Sequence, residues 1–258
     1  MSAPEKPPER RVVLILGGTA EAVSLAELLT AEWGERFDIV SSLAGRTRSP
    51  AAMSGEVRVG GFGGVDPMAR YLEDHGVVAV LDATHPFAAQ ISENARIACA
   101  RANVPRLALV RPPWKRGPDD DWRLQPDLAA AATALPAIGR RAFLTVGRTE
   151  LSAFAICEET WFLIRMIDQP DTPPPLRECQ VITGRGPFAV TAEQQLMEEH
   201  KIDVLVCKAS GGEATRAKLV AARRLGIPVL MVERPAVPDG PVADNVDAVV
   251  DWFGAQVT

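Results

Sequence analysis

Val12-Val13-Leu14-Ile15-Leu16-Gly17-Gly18-Thr19-Ala20-Glu21 decides the fold class: an apolar run is halted by two glycines and followed at once by a helical stripe of Ala22, Leu25, Ala26, Leu28 and Leu29. An uninterrupted apolar run suits a strand buried on both faces of a sheet. The glycines let the backbone approach a phosphate, and the N-terminus of the following helix offers unpaired N–H groups and positive potential. The stretch departs from G-x-G-x-x-G, because the third glycine position holds Ala22 or Val23, depending on the alignment. Its place on the first strand of an alternating chain strengthens the phosphate reading.

Outward from this stretch, apolar runs at Phe37–Leu43, Val57–Val59, Val77–Leu81 and Arg106–Val110 alternate with helical segments near Pro67–His75 and Pro86–Asn103. The alternation predicts βαβ units and a parallel sheet covered on both faces. It breaks from Pro112 to Pro126, where PPWKRGPDDDWRLQP has the composition of an interdomain connection. It then restarts, with apolar runs at Ala142–Val146, Trp161–Ile167, Val181–Thr183, Val204–Cys207 and Val229–Val232 and helices at about 190–200, 212–225 and 245–254.

The halves echo one another. Leu16-Gly17-Gly18-Thr19-Ala20-Glu21 resembles Val146-Gly147-Arg148-Thr149-Glu150, and Val80-Leu81-Asp82-Ala83-Thr84 resembles Leu205-Val206-Cys207-Lys208-Ala209-Ser210. Each half also runs through a Pro-initiated strand to a similar ending, Val110-Arg111-Pro112 and Val232-Glu233-Arg234-Pro235. The expected fold class is α/β: two Rossmann-like lobes, each with a mainly parallel sheet flanked by helices, and a ligand cleft between them. The boundaries expected are a loose polar tail over 1–10, a nucleotide-binding lobe over 11–112, a linker over 113–126 and a second, substrate-binding lobe over 127–258.

Composition removes several classes of function. A net charge of −5 exerts no general pull on nucleic acid or an anionic membrane, so a polyanionic ligand needs a local cluster of Arg and Lys. The sequence contains no run of about 18 or more apolar residues, the length a membrane span requires. Cys99, Cys157, Cys179 and Cys207 lack any C-x-x-C or zinc spacing, and the three histidines are isolated from one another. Free thiols in a cytoplasmic protein are the expectation, with no metal.

The polar motifs fall at the ends of the expected strands. After the second strand, Ser41-Ser42-Leu43-Ala44-Gly45-Arg46-Thr47-Arg48 contains no Asp or Glu for a ribose diol. Hydroxyls and two arginines stand there instead, the chemistry of a 2′-phosphate. With the glycine loop this points to NADPH, with Gly17, Gly18, Thr19, Ala20, Glu21, Ser42, Arg46, Arg48 and Thr84 as cofactor contacts. Asp82-Ala83-Thr84-His85-Pro86 ends another strand; a capped turn explains Pro86 and Thr84 but not a histidine beside them, so Asp82 and His85 are candidates for the reaction centre. In the second half Arg148, Arg185, Lys208, Ser210 and Gly211 converge on strand ends, which suits a ligand with several carboxylates. Ser210 also has a competing reading as an ordinary helix cap.

Taken in order, GGTAE, DATHPFA, VGRTEL, ITGRGPF with Glu193 beyond it, and KASGG followed by GIPVLMVERP make the chain resemble the precorrin-6A reductase family over nearly its whole length. The resemblance implies two Rossmann-like lobes and NADPH-dependent reduction of a macrocycle double bond, with hydride delivered to C19 and a proton to C18 on the way to cobalamin. The implied partners are the tetrapyrrole itself and transient contacts with neighbouring cobalamin-pathway enzymes. It leaves open whether the macrocycle carries cobalt. A short-chain-type reductase of a simpler substrate is the first alternative, but its Tyr-x-x-x-Lys pair is missing: the one tyrosine, Tyr71, is followed four residues on by His75. The second, a dinucleotide-sensing module, leaves the polar loops of the second half without a purpose.

Overall fold

The computed structural model describes residues 11–45 and 52–257; the expected tail over 1–10 and the side chains of Arg46 and Arg48 lie outside the described residues. The chain divides into two compact units, one running to Arg111 and resuming at Pro235, the other spanning Pro112–Arg234. The first contains β1 (Arg11–Leu16), α1 (Ala20–Trp33), β2 (Phe37–Leu43), β3 (Glu56–Val59), α2 (Val65–Asp74), β4 (Val77–Asp82), α3 (Ala89–Ala102) and β5 (Arg106–Leu109). The second contains β6 (Trp122–Gln125), α4 (Leu128–Ala134), β7 (Arg141–Leu144), a 3-10 stretch over Arg148–Ile156, β8 (Trp161–Met166), β9 (Glu178–Thr183), α5 (Val190–Glu199), β10 (Val204–Lys208), α6 (Ala217–Leu225) and β11 (Val229–Val232). The chain then returns to the first unit with β12 (Val242–Ala243) and α7 (Val246–Val257).

Every strand pairing among the described residues is parallel, so the carboxyl ends within each sheet gather on one edge, where ligands bind in such folds. The sheets run β3-β2-β1-β4-β5-β12 and β9-β8-β7-β10-β11-β6. Both follow the 3-2-1-4-5-6 order of dinucleotide-binding folds, but with an exchange. β5 is followed in sequence by the sixth strand of the other sheet, and β11 likewise. Each half of the chain thus completes the sheet of the other.

The unbroken apolar run of β1 has a direct cause. Val13 and Ile15 face a core shared with α1 and α7, while Leu14 and Leu16 face a second core under α2 and α3. In the other unit Phe143, Leu163, Leu205 and Cys207 pack beneath α5 and α6. No helix among the described residues is long and apolar enough to cross a membrane.

The expected boundaries need correction in two places. Residues 113–126 are not a free linker. β6 pairs with β11, Trp114 Nε1 donates to the Gly212 carbonyl at 2.7 Å, and Asp120 accepts two hydrogen bonds from Arg223 at 2.7 Å each. Of the charges in this segment, Asp120 is buried against Arg223, while Lys115, Arg116, Asp119, Asp121 and Arg123 stay exposed. Residues 235–258 belong with the first unit, not the second. Val249 and Phe253 of α7 are buried against it, with the Phe253 ring 5.4 Å from Phe37 and 5.6 Å from Trp33; burying one such phenylalanine is worth about 1.5–3 kcal/mol. α6 also starts later than expected, because Gly211 and Gly212 hold φ of +67° and +80° and turn the chain first.

Candidate functional site

At the carboxyl edge of the first sheet, β1 ends in the glycine loop. Gly18 has φ +114° and a Cβ built there would meet nothing within 4 Å, so the backbone is bare toward solvent. Gly17 answers to packing instead: its Cβ would lie 3.2 Å from Leu43 and 3.5 Å from Ala22. Ala22, one of the two residues that can stand at the third glycine position, is fully buried and small enough for that close approach. Thr19 caps α1 by accepting the Ala22 N–H at 3.1 Å, and its hydroxyl donates to the Ala83 carbonyl at 2.8 Å. It therefore locks the loop after β1 to the loop after β4, and the open head of α1 is left to face an anion.

Ala20 and Glu21 form the first turn of α1. An acid there opposes a bound phosphate, but Arg111, just past β5, donates to both Glu21 oxygens at 2.9 and 3.0 Å. Thr19, Glu21, Ala83, Thr84, Leu109 and Arg111 line one shallow pocket. Arg111 was hidden in the sequence, since no spacing rule links residues 21 and 111.

The structure changes the reading of Asp82. Its side chain is 2% exposed and pairs with Arg106, itself 6% exposed, at 2.9 Å. Its other oxygen accepts the Thr84 hydroxyl at 2.8 Å, and Thr84 also meets Ser92 Oγ at 3.2 Å. A carboxylate so enclosed shapes the turn through Arg106 and Thr84. His85 is half-buried; its Nδ1 accepts the Phe87 N–H at 3.2 Å, which places the proton of the neutral ring on Nε2. Ser42 ends β2 beside Arg58 of β3, whose Nη1 donates to Ser42 Oγ at 3.2 Å. Arg58 was missed because it lies inside the run read only as a strand.

In the second unit the expected basic residues do reach one edge, but not as a free cluster. Arg148 and Arg185 are exposed. Lys208 is held by Glu150 at 2.8 and 3.0 Å, and Glu150 also accepts the Gly147 N–H at 2.7 Å. Ser210 is buried. Gly211 has a packing reason to be glycine, because a Cβ would stand 2.4 Å from the Pro112 carbonyl oxygen and 2.8 Å from Arg234.

Two buried arrangements behind this edge were not anticipated. Arg165 pairs with Glu193 at 2.7 Å and lies over the Phe188 ring at 3.9 Å. Lys218 donates to Thr145 Oγ1 at 2.9 Å, and its burial pulls the amine below the usual lysine range. A lysine within the apolar stripe of α6 resembles a surface residue in sequence, which is why it was passed over. Burial pushes the thiols of Cys99 and Cys207 up to about 12 and about 11, so neither is a ready nucleophile.

Residues 12–254 match a protein-family model described as precorrin-6x reductase CbiJ/CobK. The precorrin-6A reductase of Rhodococcus erythropolis is 51% identical over 243 residues, spanning 94% of this chain and 97% of that protein. That of Rhodobacter capsulatus is 44% identical over 241 residues, or 93% and 95% of the two chains. A cobalt-precorrin-6A reductase of Priestia megaterium is 28% identical over 253 residues, or 93% and 96%. A solved structure described as CobK precorrin-6A reductase superposes with a TM-score of 0.90 at 42% identity, covering 96% of this chain and 98% of that one. With a family match that runs from the first strand into the last helix, the chain belongs to the precorrin-6x reductase family.

Proposed function

We propose that this chain reduces precorrin-6A to precorrin-6B with NADPH in the cytoplasm, as a step of cobalamin biosynthesis. The observation that carries the reading is the 51% identity to a precorrin-6A reductase over 94% of the chain. The weaker 28% identity to a cobalt-precorrin-6A reductase favours a metal-free macrocycle. NADPH supplies the hydride from its nicotinamide ring; the chain has to bind, orient and exclude water. The bare Gly18 backbone and the head of α1 suit a pyrophosphate, and the end of β2 suits a phosphorylated ribose. Thr84 and His85 border the reacting edge, with Asp82 as the group that positions their turn. Arg148, Arg185, Lys208, Ser210 and Gly211 hold the carboxylate arms, Glu150 keeping Lys208 in place until an arm replaces it. Anaerobic incubation of the protein with NADPH and precorrin-6A tests the whole reading: loss of NADPH absorbance must accompany the spectral change of the macrocycle, and absence of both refutes it.

Two further outcomes follow from the assignment. Lys208→Ala and Arg185→Ala weaken precorrin-6A binding by about tenfold each, the loss of one charge-assisted hydrogen bond, and leave NADPH affinity within a few fold. Equal loss of both ligands refutes that division of labour. Arg46→Ala combined with Arg48→Ala lowers the preference for NADPH over NADH by at least about tenfold, by weakening NADPH alone. Paired titrations of both dinucleotides read this directly, and an unchanged preference removes these two arginines from the site.

A further inference from the structure

β2 and β3 lie parallel at one side of the first sheet, in a register that pairs Ser42 with Arg58. Both side chains therefore stand on one face at the carboxyl end of β2, where the adenosine ribose of a dinucleotide lies in this strand order. Arg58 is clamped there. Nη1 donates to Ser42 Oγ at 3.2 Å and to the Gly60 carbonyl, and Nη2 donates to the Gly61 carbonyl at 3.0 Å. The guanidinium lies 3.9 Å from the Phe62 ring centroid and 5.3 Å from that of Tyr71, and those two rings pack edge to face at 5.2 Å.

The partners of this arginine differ from those of four other buried or half-buried arginines. Arg106, Arg111, Arg165 and Arg223 each meet a carboxylate. Arg58, like Arg141 with the His200 carbonyl and the Trp161 ring, instead donates to neutral acceptors and lies against aromatic faces. Three of the five N–H donors of a guanidinium are used. Nε and the second Nη2 hydrogen are left for a ligand. Ser42, which accepts from Arg58, keeps its own hydroxyl hydrogen to donate. The side chain has lost its rotamer freedom before any ligand arrives, so little further entropy is lost on binding.

We infer that Arg58 is a specificity-determining residue of the dinucleotide site, gripping the ribose 2′-phosphate together with the Ser42 hydroxyl. The inference rests on the NADPH reading above and adds to it the residue that distinguishes the two cofactors from within the sheet. A phosphate monoester near neutral pH carries close to two negative charges, and a planar fork with two aligned donors matches its oxygens better than a point charge does.

The test is titration of the full-length wild type and of Arg58→Met with NADPH and with NADH, followed by nicotinamide fluorescence. Methionine keeps an unbranched apolar stem over Phe62 and removes the fork. The expected result is an NADPH Kd raised about tenfold or more, with the NADH Kd within about threefold. An unchanged ratio of the two constants overturns the inference. So does equal weakening of both dinucleotides, since Arg58 would then only shape the loop. A wild type with no preference for NADPH refutes the cofactor reading itself, a result separate from either. If the methionine variant does not fold, Arg58→Lys carries the same comparison, because it keeps the charge without the planar fork.

Discussion

Replacing His85 by alanine lowers the single-turnover rate of hydride transfer by about a hundredfold or more, the range in which a positioned acid–base or hydrogen-bonding side chain acts. The proposed role adds a second job to the one this ring has in the turn. Nδ1 accepts the Phe87 N–H and so helps to shape the turn, while Nε2 carries the proton of the neutral ring. Losing the first job costs about 1 kcal/mol of local stability; losing the second removes the donor from the reacting edge. His85→Asn distinguishes them, because its amide oxygen can take over from Nδ1 but nothing replaces Nε2. Both variants should fold, bind NADPH within a few fold of wild type and turn over slowly. A normal single-turnover rate in His85→Asn would make this histidine a turn residue and no more.

Arg106→Met produces the largest loss of stability, about 3–5 kcal/mol, because it strands the Asp82 carboxylate in the interior. The pair is 2% and 6% exposed, so water cannot take over the solvation of the acid. The double variant Arg106→Met with Asp82→Asn should recover a large part of the loss, since no charge is then left unpaired. Urea denaturation of the three proteins measures this. A single variant within 1 kcal/mol of wild type would mean that the acid is neutralised or rehydrated without the arginine.

Much of the fold was legible because its signals are local. A run such as Val12–Leu16 needs two apolar faces, and only a covered parallel sheet supplies them. The glycine loop, the strand-end polar residues and the repeat between the halves followed from the same local patterns. Partnership was not legible. Whether Asp82 is a free acid depends on Arg106, whether Glu21 repels a phosphate depends on Arg111, and whether Lys208 is an open cation depends on Glu150. These pairs are made by tertiary structure across separations that no periodicity encodes. Composition misled at 113–126 for the same reason: Asp120 looks solvated until Arg223 is set against it.

The exchange of sixth strands governs how the protein can be assembled. Val242 pairs with Ala108, so closing the first sheet requires a loop that encloses the entire second unit. During synthesis the β5 edge must wait, unpaired, while Pro112–Arg234 emerges and completes a sheet of its own. The usual N-terminal-first order is thereby reversed in its last step: the unit begun first is finished last. A chain ending just after Arg234 would carry one complete sheet and one bare parallel edge, a template for association with another chain. The final segment, β12 with α7, thus works as the seal against that event, and its loss should show first as aggregation during expression.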